Sequence, residues 1–150
     1  MNLIVRRAAF KEILPLRHAV LRPGKPESAS VWDRDDDAVH IGAWQDDALV
    51  GCATVFADGW AGADGYPAEP AAWRLRGMAV DPSRQGGGIG RAVLAAAIEA
   101  ARDAGAPLIW ANARMTAMSF YESAGFVAVG EEYLTAETRL PHKKIVLPLD

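Results

Sequence analysis

Cysteine is almost missing from this 150-residue sequence: Cys52 stands alone. No internal disulfide can form, and no cluster of Cys and His has zinc spacing, so neither a stapled scaffold nor a metal centre is expected. Basic excess is missing too. Lys and Arg number 16 against 19 Asp and Glu, a net charge of −3, which argues against a general nucleic-acid binder. No apolar run approaches the ~20 residues of a membrane span. Leu3-Ile4-Val5 followed by Arg6-Arg7 is too short and wrongly ordered for a signal peptide. Internal repeats and low-complexity tails are absent. The expectation is a soluble intracellular protein, most simply cytoplasmic, with neither nucleic acid nor membrane as partner.

What is present is globular. Hydrophobic residues make up 51% and charged residues 23% of the chain, a composition that buries a core without disulfide or metal. The length suggests one domain over residues 1–150. Leu3–Arg7 reads as a first strand, and Phe10–Leu21 as a helix that begins or kinks at Pro15. Strands Val39–Trp44 and Leu49–Phe56 are joined by Gln45-Asp46-Asp47-Ala48. Cys52 falls in the second of these and reads as a packed residue rather than a nucleophile. Between helix and strands, Asp33–Asp37 carries four carboxylates; it reads as a solvated loop or as a lip that attracts a cationic substrate. Ala57–Pro70 is the most loop-like stretch, with Trp60 and Tyr66 either covering a site or packing onto the surface.

Trp73–Val80 predicts an irregular strand. Trp73 and Leu75 set one parity and Met78 and Val80 the other, with Gly77 at the switch, the pattern of a β-bulge. A helix then carries Ile89, Val93, Ala97 and Ala101 as one apolar stripe and stops at Gly105. Leu108–Ala111 reads as a strand buried on both faces, which closes a right-handed parallel βαβ unit. A short helix over Thr116–Ser123 and strands Phe126–Val129 and Lys143–Leu149 complete the chain. The fold class is α/β: a mixed, twisted central sheet with helices on both faces and a bulged central strand.

The glycine-rich stretch Arg84-Gln85-Gly86-Gly87-Gly88-Ile89-Gly90-Arg91 sits between strand and helix. The first amides of a helix lack internal partners and carry the positive end of its dipole, and glycines let that backbone approach a phosphate. Residues 71–91 hold four arginines against Asp81 alone, a local excess of +3. A phosphorylated ligand at this helix start is expected. A P-loop is excluded because its Lys is missing, and a dinucleotide fingerprint fails because Arg91 or Val93 occupies its third glycine position. A plain tight turn is the bland alternative.

Gln85-x-x-Gly88-x-Gly90 after Met78-Ala79-Val80-Asp81-Pro82 resembles the acetyl-CoA pyrophosphate loop of the GNAT-family N-acetyltransferases. Downstream, Asn112-Ala113-Arg114 and Phe120-Tyr121-Glu122-Ser123-Ala124-Gly125-Phe126 continue the resemblance, which covers about residues 3–149. It implies a single GNAT-like domain whose bulged strand splays from the next one. It implies a transferase (an acyltransferase) moving acetyl from acetyl-CoA to an amine, of a small molecule first and of a peptide or protein second. By the same resemblance the amides of Gln85, Gly86, Gly87, Gly88, Ile89 and Gly90 hold the pyrophosphate, with Arg84 or Arg91 near its charge. Met78-Ala79-Val80 lines pantetheine, whose arm Asn112 also bonds, and Tyr121 is the general acid for the leaving thiolate. Read without the family, Asn112 is equally a strand-ending turn residue and Tyr121 a core aromatic beside Phe120.

The base is less defined. Many relatives place a carboxylate on the central strand, but Trp73–Val80 has none. Glu131, Glu132 and His142 are candidates, with His18 and His40 behind them; His142 after Pro141 resembles a Pro-His pair of some relatives. Leu16–Pro23 resembles an uncharacterised GNAT subgroup, in which Arg17 or Arg22 borders the acceptor cleft, although surface packing is the simpler role. Relatives often dimerise, so a homodimer is among the expectations. Two other classes remain beside the enzyme. One is a non-catalytic acyl-CoA-binding sensor or interaction module, favoured by the missing strand carboxylate. The other is a nucleotide-binding regulatory domain, resting on the glycine loop alone.

Overall fold

The computed structural model describes residues 2–136 and 138–150. Along the chain run β1 (Leu3–Ala8), α1 (Phe10–Leu21), β2 (Val39–Gln45), β3 (Ala48–Ala57), β4 (Trp73–Val80), α2 (Ile89–Asp103), β5 (Leu108–Arg114), α3 (Met118–Ser123), β6 (Val127–Leu134) and β7 (Pro141–Pro148). The seven strands follow the hydrogen-bonded order β1-β2-β3-β4-β5-β7-β6. The chain forms two compact units, Met1–Phe56 with Leu75–Ala100, and Ala57–Arg74 with Ala101–Asp150.

In the first unit β1, β2 and β3 are antiparallel, with Leu3 opposite Gln45 and Val39 opposite Val55. The β2–β3 connection is a two-residue turn in which Asp46 (φ 51) and Asp47 (φ 69) are both left-handed. That backbone matches the twist of the flanking strands, and Asp tolerates it better than most residues. Helix α1 runs through Pro15 rather than starting there. Its entry is held by the Glu12 carboxylate, which accepts from the Ala9 amide at 2.8 Å. Ile13, Cys52 and Ala79 form the buried cluster beneath α1, packed by Phe10, Leu16 and Val20. Cys52 is a packed strand residue as expected, its thiol pushed up to about 12 by burial. In β4 Leu75 and Ala79 are buried while Met78 and Val80 are half-buried. Burial in this strand thus falls on Leu75 and Ala79, where sequence reasoning turned Met78 and Val80 inward. The irregularity lies in the backbone, at Gly77 with φ +69.

One charged group organises this unit. Arg17, expected at the surface, is fully buried on α1. Its Nη1 donates to Asp35 Oδ2 (2.9 Å) and Ser30 O (3.0 Å), and its Nη2 to Asp35 Oδ1 (3.1 Å) and Thr54 Oγ1 (2.6 Å). The guanidinium lies 4.0 Å from the Trp32 ring centroid. Asp35 thus leaves the acidic run Asp33–Asp37 for the interior, whereas Asp37 stays exposed and pairs with Arg34 at 3.1 Å. His40 Nε2 donates to Asp35 O at 2.9 Å, which leaves Nδ1 to accept from the Thr54 hydroxyl at 2.9 Å. Burial holds the His40 imidazole below its ordinary value, with a backbone bond to Asp35 opposing.

In the second unit β5 pairs antiparallel with β7 from Leu108↔Pro148 to Arg114↔His142, and β7 pairs with β6. The parallel register of β4 with β5 consists of Trp73↔Ile109 and Arg74↔Trp110. Both β5 and β6 extend further than the sequence suggested, to Arg114 and Leu134. Trp60, Ala72, Leu108, Trp110, Val129 and Val146 form the core, with Tyr66 against it. Trp60 is therefore a packing residue, 3% exposed and 5.6 Å from the Trp110 ring. The indole nitrogens of Trp60 and Trp110 donate to the carbonyls of Tyr66 (3.1 Å) and Asp58 (2.9 Å), which pins the Ala57–Pro70 loop at two points.

Removing the Arg17 cation strands the Asp35 carboxylate in the interior. Arg17→Met should lower the unfolding free energy by about 3–5 kcal/mol, measured by urea denaturation. The double variant Arg17→Met, Asp35→Leu should recover a large part of that loss, because it removes both charges together.

Candidate active site

The glycine loop of the first unit begins where β4 ends. Asp81 donates its amide to Val50 O at 2.9 Å, and its carboxylate accepts from the Ser83 amide (3.0 Å) and hydroxyl (2.9 Å). Those bonds hold the Asp81 carboxyl below its ordinary range. They also close a 3-10 turn over Pro82–Arg84 that aims the chain into the loop. Gly86 (φ +89) and Gly88 (φ +83) take left-handed backbone that side-chain-bearing residues avoid. A Cβ at either position would meet no atom within 4 Å, so the space beside the loop backbone is open. Gly88 O accepts the first helical bond, from Ala92 N at 3.1 Å, which makes Gly88 the residue that caps α2.

A cavity of about 650 Å³ opens here, lined by Gln45, Ser83, Arg84, Gln85, Gly86, Gly87 and Ile89. Arg84 Nη1 donates to Gln45 Oε1 at 2.6 Å, which holds the cation at the cavity wall. Gln45 was missed by sequence reasoning. It stood only at the edge of a turn, and no local motif links a strand end to a loop 39 residues away. Ile89 is 3% exposed, and helix α2 rests close on β3 at Gly51, where a Cβ would come within 2.9 Å of Ile89 Cγ2 and 3.1 Å of Val93 Cγ2. Gly51 is thus what lets the helix start approach the strand. Gly90 is half-buried on the helix and Arg91 exposed. Backbone amides, a fixed guanidinium and open space fit a pyrophosphate-bearing cofactor at this loop.

In the second unit Asn112, on β5, lies opposite Lys144 of β7. Its Oδ1 accepts from the Tyr133 hydroxyl and from Lys144 Nζ, the latter at 2.9 Å. The Asn112 oxygen is therefore occupied, and its amide nitrogen is the donor left for a ligand. Sequence reasoning missed Tyr133 and Lys144, since only the β5–β7 and β6–β7 registers bring them to Asn112. Tyr121, on α3, is 8% exposed and meets Phe120 and Phe126 edge-on at 5.1 and 5.8 Å. Burial pushes its phenol up to about 12, against the pull of Arg114. Its hydroxyl makes no hydrogen bond among the described residues.

The base candidates separate by environment. His40 is bonded on both ring nitrogens. His18 Nδ1 is bonded to Ser30 Oγ at 2.8 Å, and buried His142 accepts no proton at Nδ1, which donates to Leu140 O at 2.8 Å. Glu131 and Glu132 are exposed on β6. Among the described residues no group of three or more His, Cys, Asp or Glu could hold a metal, and no helix is long and apolar enough to cross a membrane.

The model of the acetyltransferase (GNAT) family matches residues 8–126. An uncharacterized N-acetyltransferase of Bacillus subtilis (strain 168), YitI, is 24% identical over 131 residues, spanning 86% of this chain and 85% of the relative. Among solved structures, a candidate N-acetyltransferase from Lactobacillus plantarum superimposes with a TM-score of 0.77 at 20% identity over all of both chains. The candidate acetyltransferase yncA from Salmonella typhimurium, solved with its cofactor acetyl-CoA, gives 0.71 at 20% identity over 100% of this chain and 95% of its own.

A buried phenol with a raised pKa stays protonated where a solvated one begins to ionise. The ¹³Cζ resonance of Tyr121 should stay put between about pH 7 and pH 10 in the folded protein. Movement of that resonance in this range would show that burial does not hold the proton.

Proposed function

Because the chain belongs to the acetyltransferase (GNAT) family, we propose that it transfers the acetyl group of acetyl-CoA to the amine of a small molecule. The observation that carries the reading is the loop before α2, where Gly86 and Gly88 hold left-handed backbone beside open space and Arg84 is fixed against Gln45. The amides from Gln85 to Gly90 would hold the pyrophosphate, with Arg84 as the counter-charge and Arg91 beside it. Met78, Ala79 and Val80 would offer backbone groups to pantetheine, and Asn112 its remaining amide N–H. Acetyl-CoA supplies the activated acyl group as a thioester.

The amine nitrogen forms a bond to the acyl carbon as the carbon–sulfur bond breaks. Tyr121 is the proposed donor to the departing thiolate. Its phenol carries a proton at neutral pH, as a donor must, and burial makes it a weaker acid than a solvated tyrosine. No acidic residue lies in Trp73–Val80, so the amine loses its proton to a base elsewhere or to water. The same absence favours the second reading, a non-catalytic acyl-CoA-binding sensor. The cytoplasm is the proposed compartment, where acetyl-CoA is abundant and a lone thiol such as Cys52 stays reduced.

By calorimetry, Gly88→Val should weaken acetyl-CoA binding by about tenfold or more, the worth of one charge-assisted hydrogen bond; equal affinity would remove the loop from cofactor binding. In an amine-library screen scored by thiol release, turnover on any acceptor decides for the enzyme, and silence alongside firm binding for the sensor. Tyr121→Phe should keep cofactor affinity and slow release by about a hundredfold or more. An unchanged rate would take Tyr121 out of the chemistry.

A further inference from the structure

The second unit gathers two cations on one indole. Arg74 and Lys144 lie 5.0 and 5.3 Å from the Trp110 ring centroid, and Lys144 also faces the Tyr133 ring at 5.4 Å. Arg74 has the Asp58 carboxylate at 3.5 Å. Lys144, among the described residues, has no carboxylate within ion-pair distance; its hydrogen bond goes to the neutral Asn112 oxygen. An ammonium has three donors, so this one is only partly used. Both cations are half-buried rather than enclosed, which keeps the patch open to a ligand. Among the described residues, Lys144 faces Arg74 from β4, Trp110 and Asn112 from β5 and Tyr133 from β6, with Asp58 beside Arg74 and His142 of β7 beside the Tyr133 ring. Lys144 thus brings a positive charge that, among the described residues, no carboxylate meets, in a place that water only partly screens.

We propose that Lys144, seated with Arg74 on the Trp110 indole, binds an anionic group, specifically the carboxylate of an acceptor that carries both an amine and a carboxylate. The inference rests on the acetyltransferase reading and narrows its acceptor to amino-acid-like amines. A carboxylate takes the donors that Asn112 leaves vacant and offsets the repulsion between the two cations. Burial and the neighbouring Arg74 hold the Lys144 ammonium below its ordinary range, so an arriving anion must push it back up. That coupling can be read without any turnover. The four lysines, Lys11, Lys25, Lys143 and Lys144, are few enough to follow individually by NMR at Cε and Nζ. A phosphate of the cofactor is the other source of a matching anion, and the experiment has to tell it apart.

The probes are N-acetyl amino acids and the matching N-acetyl amino-acid amides, titrated into the whole protein. At least one carboxylate should raise the Lys144 pKa by about one unit while its amide leaves it unmoved, with Lys11 and Lys25 as internal controls. If no carboxylate in the panel moves Lys144, the proposal is wrong. In kinetics, Lys144→Met should cut the preference for a carboxylate-bearing amine over its amide, read as the KM ratio, by about tenfold. Lys144→Arg should keep most of that preference. An unchanged ratio in Lys144→Met overturns the proposal. So does a rise of the Lys144 pKa on adding CoA alone, with the carboxylates inert, because the anion is then a cofactor phosphate. Absence of turnover on every amine sinks the acetyltransferase reading, while the NMR titration still decides the anion site.

Discussion

A guanidinium without access to water has to find its partners inside the protein, and Arg17 satisfies both terminal nitrogens, though not Nε, by pulling four segments around itself. Helix α1 carries it, the loop after α1 supplies Ser30 O, Trp32 and Asp35, and β3 supplies Thr54. His40 on β2 closes the circuit by bridging Thr54 and Asp35. Each bond alone is worth little net, but desolvating the charge without them would cost several kcal/mol. The constraint reaches β4 as well. A Cβ at Gly77 would fall 3.0 Å from the Trp32 ring and 3.2 Å from Arg17 Nε, so the buried cation and its ring leave little room for a side chain there.

The glycine loop obeys a different constraint. At Gly77 and Gly51 side chains are excluded by neighbours already in place, whereas at Gly86 and Gly88 the space is open and only the backbone conformation calls for glycine. Packing within the chain therefore explains the first pair. The second is explained by what the loop presents outward: amides at the start of α2 and a guanidinium anchored by Gln45. The glycines of β3 and β4 thus answer to packing, and those of the loop to backbone conformation beside open space.

Most of the fold was legible because its signals are local. The stripe Ile89, Val93, Ala97 and Ala101 is buried throughout, and the hairpin turn at Asp46-Asp47 is written in its flanking strands. The glycine loop is local in the same way, whereas Asn112 and Tyr121 were singled out only through the family resemblance. What escaped were pairings made across the sheet or through the interior. Nothing near Arg17 in sequence announces Asp35 and Thr54, and a long charged side chain is ordinarily a surface residue. Lys144 and Tyr133 reach Asn112 only through strand register, and Gln45 reaches Arg84 only once β2 and the glycine loop are folded. In β4, alternation of apolar residues pointed to Met78 and Val80, but the small Ala79 is the one that fits beneath α1 beside Ile13 and Cys52.

The buried Arg17 circuit also bears on how such a protein can be recombined. The loop from Ser30 to Asp35 is held by its own turns and also by the Arg17 side chain from the helix before it, which is bonded in turn to a hydroxyl of β3 37 residues further on. A graft of that loop alone from a relative would arrive without its counter-charges and strand a cation or a carboxylate in the interior. The transferable block is helix, loop and hairpin together, roughly the span from Phe10 to Phe56. Chimaeras that cut inside it should be lost to misfolding, whereas those that cut outside it keep the circuit whole.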